Sequence, residues 1–175
     1  MDRILVSACL VGAPVRYDGR AKDTGSALLA HWHEEGRLVP LCPELAGGFP
    51  VPRAPAEIAP GGTGADVLAG RSRIIDSTGR DVTEGFRTGA AIAVQLAQST
   101  GCRFALLTEG SPSCGVARIH AGRFDGATRP GEGVVAAALR EAGVAVFSHE
   151  DIAALATTLA AAARGSEPGA EKRAP

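Results

Sequence analysis

Four cysteines, Cys9, Cys42, Cys102 and Cys114, are the residues of this 175-residue chain most apt for chemistry. Thiolates are ligands for soft metals and, where no metal is bound, nucleophiles. None of the four stands in a C-x-x-C pair, so spacing alone names no metal and their placement in the fold must. Two of them have polar company. In CPE, Glu44 follows Cys42 by two residues and could serve as acid or base beside a bound substrate. In GSPSCG, Ser111, Ser113 and several backbone N–H groups surround Cys114, a pattern apt for a polar ligand or for cluster sulfides. Each has a plainer reading: a buried apolar thiol, a solvated loop charge, serines that form a turn.

The elements that must position these residues alternate in type. Arg3–Ala8 (RILVSA) reads as a buried strand, and Gly12, Pro14 and Gly19 turn the chain after it. Asp23 or Thr24 caps an expected helix over 24–35, closed by Gly36. A strand over Arg37–Leu41 then enters CPELAGGFPVPRAP. With Pro43, Pro50, Pro52 and Pro55, this segment is expected to be neither helix nor central strand but a long stiffened loop. Gly61–Gly64 reads as a surface turn and Arg73–Asp76 as a strand. Asp81, with Glu84 at capping-box spacing, opens a helix that carries Phe86, Ala90, Ala93, Val94 and Ala97 on one face and ends at Gly101. FALLT (Phe104–Thr108) is the clearest buried strand. A helix over Gly133–Ala142, a strand over Val144–Phe147 and a helix from Asp151 to Ala163 follow, with His149 at the start of the last one.

This alternation predicts a single domain over 1–163, a three-layer α/β sandwich with a mostly parallel open sheet, Rossmann-like or flavodoxin-like. Residues 164–175 have little to bury and read as a disordered tail. Ligands of such sheets sit beyond the carboxyl ends of the strands. Cys9 and Cys42 lie just past the first and second strands and Cys114 in the loop leaving FALLT, so parallel strands bring all three to one edge. Cys102 precedes the FALLT strand and belongs to the other edge, roughly 17–20 Å away at about 3.3 Å per residue. Three converging thiolates suit zinc or an iron–sulfur cluster with one position open, the mark of a catalytic metal.

Composition narrows the function further. Lysine plus arginine total 18 against 19 acidic residues, a net charge of −1. That balance argues against a nucleic-acid partner, although a local basic patch would still permit thiolated bases within RNA. No run approaches the roughly 20 apolar residues of a membrane span, and charge, Gly and Pro interrupt the start before a signal peptide forms. A cytoplasmic protein with reduced thiols, no membrane partner, and a monomer or weak homodimer is expected. Neither G-x-x-x-x-G-K-[ST] nor a G-x-G-x-x-G after a strand is present. His31 and His33, two apart around Trp32, point to different sides of a helix and make no chelate. Arg16, Tyr17 and Asp18 in the loop after Cys9, and His120 near the active edge, are candidates to line the pocket.

Four segments in order, SACLVGAPVRYDG, VPLCPELAGGFPVPRAPAEI, DVTEGFRTGA and LLTEGSPSCG, resemble the 2-thiouracil desulfidase family, long catalogued as domain of unknown function 523. The likeness runs from Ile4 to Phe147. It implies a 4Fe-4S cluster on three cysteine ligands, matched here by Cys9, Cys42 and Cys114, with one iron open for the substrate's sulfur. Glu44 matches the family's acidic residue and Ser111 a polar residue of its site. Cys102 matches no motif. Where the family commonly shows a Tyr-Asp-Gly-type segment this chain has His120 and Ala121, which bears on substrate identity. The expectation is an iron–sulfur-dependent desulfidase acting on a thiolated nucleobase such as 2-thiouracil, giving uracil and hydrogen sulfide by non-redox C–S hydrolysis. Glu44 and Ser111 are its expected catalytic residues, and Ser113, Arg16, Tyr17 and His120 its substrate contacts. The competing class is a non-catalytic iron–sulfur or zinc module for regulation or electron transfer, which would need the thiolates but not Glu44.

Overall fold

The computed structural model describes residues 1–22 and 24–165. Its centre is a four-stranded parallel sheet of β1 (Arg3–Ser7), β2 (Leu38–Leu41), β5 (Cys102–Leu107) and β8 (Ala145–Ser148), in the order β2-β1-β5-β8. Numbered within the sheet this is 2-1-3-4, the flavodoxin-type winding, whose direction reverses between β1 and β5. Side chains alternate across each strand. Ile4, Val6, Phe104 and Leu106 face one core with Leu29 and Trp32 of α1 (Ala27–Glu34) and Leu155 and Leu159 of α6 (Ile152–Gly165). Leu5, Ala105 and Leu107 face the other with Phe86, Ala90 and Ala93 of α4 (Thr83–Thr100) and Val134 and Leu139 of α5 (Val134–Glu141). Two apolar faces on one sheet require two helical layers, since full burial of each Leu, Ile or Phe stabilises by about 1.5–3 kcal/mol.

Several expected boundaries move for identifiable reasons. Ser26 caps α1, accepting a hydrogen bond from Leu29 N, so Thr24 is not the cap, and Asp23 lies outside the described residues. Pro43 does not break structure. It occupies the first position of a short helix α2 (Pro43–Ala46), where its missing N–H costs nothing and its fixed φ suits the turn. Gly61 does turn at the surface, but Gly64 is buried and starts α3 (Gly64–Leu68), which Thr63 and Asp66 close with a capping box. Asp81 is not the cap of α4. Val82 occupies that place, which puts Glu84 in the second helical position and leaves no box. The Asp81 carboxylate instead accepts from Thr83 N at 3.0 Å and the Thr83 hydroxyl at 2.5 Å. His149 opens a 3-10 turn (His149–Asp151) ahead of α6, which runs to Gly165, past the expected domain end at 163. The rest of the expected tail, 166–175, lies outside the described residues.

Two small antiparallel pairs complete the chain. β3 (Ala56–Ile58) joins β4 (Ile74–Asp76), so the strand expected at Arg73–Asp76 stands outside the main sheet. β6 (Arg118–His120) joins β7 (Thr128–Pro130). The contact that matters most for the site is between α2 and α4. A Cβ on Gly89 would stand 2.1 Å from the Pro43 carbonyl oxygen, and one on Gly47 2.1 Å from that of Gly85. Only glycine lets the CPE segment sit this close on α4.

Candidate active site

Cys9 lies in the 3-10 turn Ala8–Val11 directly after β1, Cys42 caps α2 directly after β2, and Cys114 lies in the loop after β5. All three line one cavity of about 140 Å³ at the carboxyl ends of these strands, at the point where the winding reverses. Parallel pairing is what gathers them, because every strand then ends at the same edge. Cys102 begins β5 opposite Arg3, buried at the far edge, its thiol 3.2 Å from the Thr100 hydroxyl.

The thiols sense one another. Burial pushes Cys9 up to about 11, the nearby Cys42 adds to this, and Arg16 and Lys22 oppose it. Burial likewise raises Cys114, its hydrogen bond with Ser7 works against the rise, and the charges of Glu44, Cys9 and Cys42 add to it. Burial disfavours the free thiolate at Cys9 and Cys114, and binding to a cationic centre would offset that cost. Among the described residues no three Cys, His, Asp or Glu side chains close around a point as ligands to one ion would. Thiols on three separate segments around one cavity are a donor set that suits a soft metal centre.

The loop that carries Cys114 is held from two sides. Glu109, buried, accepts from Val116 N at 3.0 Å, Ala117 N at 3.1 Å and Arg118 N at 3.2 Å, folding residues 109–118 back on themselves. The first N–H groups of α5 reach back to it, Val134 N to the Pro112 carbonyl and Val135 N to that of Ser113, each at 2.9 Å. His149 Nδ1 accepts from Glu109 N at 3.3 Å. Burial of the imidazole holds its pKa below the ordinary value and keeps that nitrogen free to accept.

Beside the thiols stands an ordered polar chain. The Ser111 Oγ accepts from Ser113 N at 3.0 Å and Cys114 N at 3.2 Å. With both lone pairs used, its proton is aimed at Glu44 Oε1, 3.2 Å away. The other carboxylate oxygen, Oε2, receives Arg53 Nε at 2.6 Å and lies 2.5 Å from Arg53 Nη2. Glu44, Ser111, Arg16, Tyr17 and His120 line the cavity. Tyr17, 43% exposed, stands at its rim. The His120 Nδ1 is buried with no hydrogen-bond partner among the described residues. Ser113 does not line the cavity. It is 1% exposed, and α5 claims its carbonyl, which turns it away from where substrate contact was expected.

Among the cavity's polar side chains, Ser7, Lys22, Arg53, Thr108 and Glu109 carry no site role in the sequence reading. Ser7 and Glu109 sit inside the SACL and TEGSPSCG motifs and were open to notice there. An arginine between prolines in VPRAP carries no local sign of its partner nine residues away. No helix among the described residues is long and apolar enough to cross a membrane.

Comparison with known proteins bears on this geometry. The chain is 44% identical to the uncharacterized protein YbbK of Bacillus subtilis (strain 168) over 149 residues, 85% of this chain and 97% of that protein. Its structure matches that of the [4Fe-4S]-dependent thiouracil desulfidase TudS with a TM-score of 0.83 at 45% identity, covering 92% of this chain and 99% of TudS. Residues 4–151 match the profile of the 2-thiouracil desulfurase family. With its α/β sheet, its thiol-lined cavity and that match over most of its length, the chain belongs to the 2-thiouracil desulfurase family and is an enzyme of the desulfidase type.

Proposed function

We propose that this enzyme hydrolyses the C=S bond of a thiolated nucleobase such as 2-thiouracil, giving uracil and hydrogen sulfide, with Cys9, Cys42 and Cys114 as the three protein ligands of a 4Fe-4S cluster. The observation that carries the reading is the convergence of these three thiols on one cavity beside a carboxylate already oriented by Ser111 and Arg53. When bound, such a cluster supplies a soft Lewis-acidic iron with an open position, selective for a thiocarbonyl sulfur over oxygen. The remaining work falls to the chain. Glu44 Oε1 takes a proton from a water directed at the ring carbon, and Ser111 holds that oxygen in place. His120 Nδ1, unpartnered among the described residues, hydrogen-bonds the ring, and leaving it empty would cost about 1–3 kcal/mol of desolvation. Arg16 and Tyr17 flank the entrance.

The overall change is C=S plus water to C=O plus hydrogen sulfide. It balances without electrons, so no external reductant is consumed.

The test begins with anaerobic purification, reconstitution with iron and sulfide, and iron analysis of wild type, Cys9→Ala, Cys42→Ala, Cys114→Ala and Cys102→Ala. About four irons per chain in wild type and Cys102→Ala, and fewer in the other three, is the expected result. Sulfide release from 2-thiouracil should then proceed without added electrons. A stoichiometric electron requirement, or equal iron in all five proteins, would overturn the reading.

A further inference from the structure

Arg53 is a cation in an unexpected place. It lies in a proline-rich loop with its side chain 7% exposed, and an interior guanidinium is tolerated only where its donors are met. Its Nε and Nη2 both converge on Oε2 of Glu44, at 2.6 and 2.5 Å. Nη2 also donates to the Val15 carbonyl at 3.1 Å and Nη1 to that of Pro50 at 3.2 Å, while the Arg53 backbone N–H donates to Tyr17 O at 2.9 Å. The guanidinium therefore clamps one oxygen of Glu44 and ties the 13–17 loop, with Arg16 and Tyr17, to the segment that follows Cys42.

The consequence is asymmetry within one carboxylate. Among the described residues, Oε2 is occupied by two charge-assisted contacts, whereas Oε1 has a single contact, with the Ser111 hydroxyl, and keeps a lone pair for a water. Glu44 has three side-chain torsions, and without Arg53 only the one hydrogen bond from Ser111 would be left among the described residues to choose among its rotamers. We propose that Arg53 is the positioning residue of this active site: it locks Glu44 so that Oε1 alone is presented to the reacting water. The proposal rests on Glu44 being the general base, as inferred above. A planar fork suits the task better than a flexible ammonium, which offers a point charge without a fixed direction.

The test compares Arg53→Met, Arg53→Lys, Glu44→Gln and the Arg53→Met/Glu44→Gln double variant, each reconstituted and assayed for iron, KM and kcat with 2-thiouracil. The melting temperature of the iron-free chain is measured in parallel. Arg53→Met is expected to load iron as wild type does and to keep KM within about threefold. Its kcat should fall about 10²-fold, the scale of losing an ångström of alignment. Arg53→Lys should recover about a tenth of the wild-type rate, because the charge survives without the fork.

In the Glu44→Gln background, Arg53→Met should cost nothing further. The iron-free double variant should melt above Arg53→Met, because the latter leaves a buried carboxylate unpaired. Wild-type kcat in Arg53→Met, or the same fold loss with and without Glu44, overturns the proposal while leaving the base intact. Full turnover in Glu44→Gln overturns the base and the proposal together. Should Arg53→Met fail to fold, Arg53→Lys and the double variant give the same comparison.

Discussion

Replacing Ser111 by alanine removes three hydrogen bonds at once, and the structure separates what each is worth. Two are bonds that Ser111 Oγ accepts, from Ser113 N at 3.0 Å and Cys114 N at 3.2 Å, and both donors belong to buried residues. A buried N–H left without a partner costs about 1–3 kcal/mol. Because Ser111 lines an open cavity, water can reach part of the gap, so the stability loss should fall at about 2–3 kcal/mol. In a domain of this size each kcal/mol lowers the melting temperature by about 2–4 °C, for a drop of roughly 4–12 °C. The fold survives this, since domains are typically stable by about 5–15 kcal/mol. The third bond is the one Ser111 gives to Glu44 Oε1 at 3.2 Å. Hydrogen bonds to charged groups contribute about 1.5–3 kcal/mol, which corresponds to a kcat lower by about 10- to 10²-fold if the bond is fully used in the transition state. The assay is thermal unfolding of the iron-free chain beside single-turnover sulfide release from the reconstituted enzyme, with iron content checked first. A melting drop with unchanged turnover per cluster would refute the catalytic half of this reasoning and leave Ser111 a loop residue.

Three further outcomes follow from the same coordinates. Glu109→Gln can keep a carbonyl oxygen where Oε2 accepts from all three N–H groups but sets its NH2 against Ala117 N, so it should destabilise by about 1–3 kcal/mol in urea unfolding and lower iron retention through the Cys114 loop. Gly89→Ala gains up to about 1 kcal/mol of helix propensity, but its Cβ would meet the Pro43 carbonyl oxygen at 2.1 Å. Backbone cannot rotate away, so a net loss of about 1–3 kcal/mol and reduced iron loading are expected, and a rise in melting temperature would contradict the packing argument. Cys9, raised from 9.0 to about 11, stays protonated in the folded iron-free chain while the unfolded chain ionises. Its contribution is therefore intact below pH 9 and lost as pH climbs from 9 to 11. Cys9→Ser should flatten the fall in stability over that window, and identical pH profiles for the two proteins would show that burial does not act on this thiol as described.

Much of the architecture was legible because long apolar elements advertise themselves. ILV (Ile4–Val6) and FALL (Phe104–Leu107) are continuous apolar runs of the kind a doubly covered strand tolerates, and the spacing from Phe86 to Ala97 is a helical stripe. From these alone the sheet, its parallel sense and the shared edge of three cysteines could be inferred. The pieces the sequence leaves unassigned or misassigns are short. Three-residue strands such as Ala56–Ile58 and Arg118–His120 are too brief to carry a period. The turn of helix at Pro43–Ala46 is hidden because its proline reads as a breaker where it serves as an opening residue.

Residue types along the chain settled which chemistry this protein could do: three thiols in the segments that follow strands, a carboxylate beside one of them, and hydroxyls beside another. What they could not settle is which of two neighbouring serines faces the cavity, because that depends on the N-terminus of α5, some twenty residues on, claiming the Ser113 carbonyl and leaving Ser111 to Glu44. Nor could they join Arg53 to Glu44 or Glu109 to the Cys114 loop. Strand and helix follow from local periodicity, which neighbouring residues set together. The pairing of one buried charge with one partner follows only from the closed three-dimensional packing, where each polar group must find what water no longer supplies.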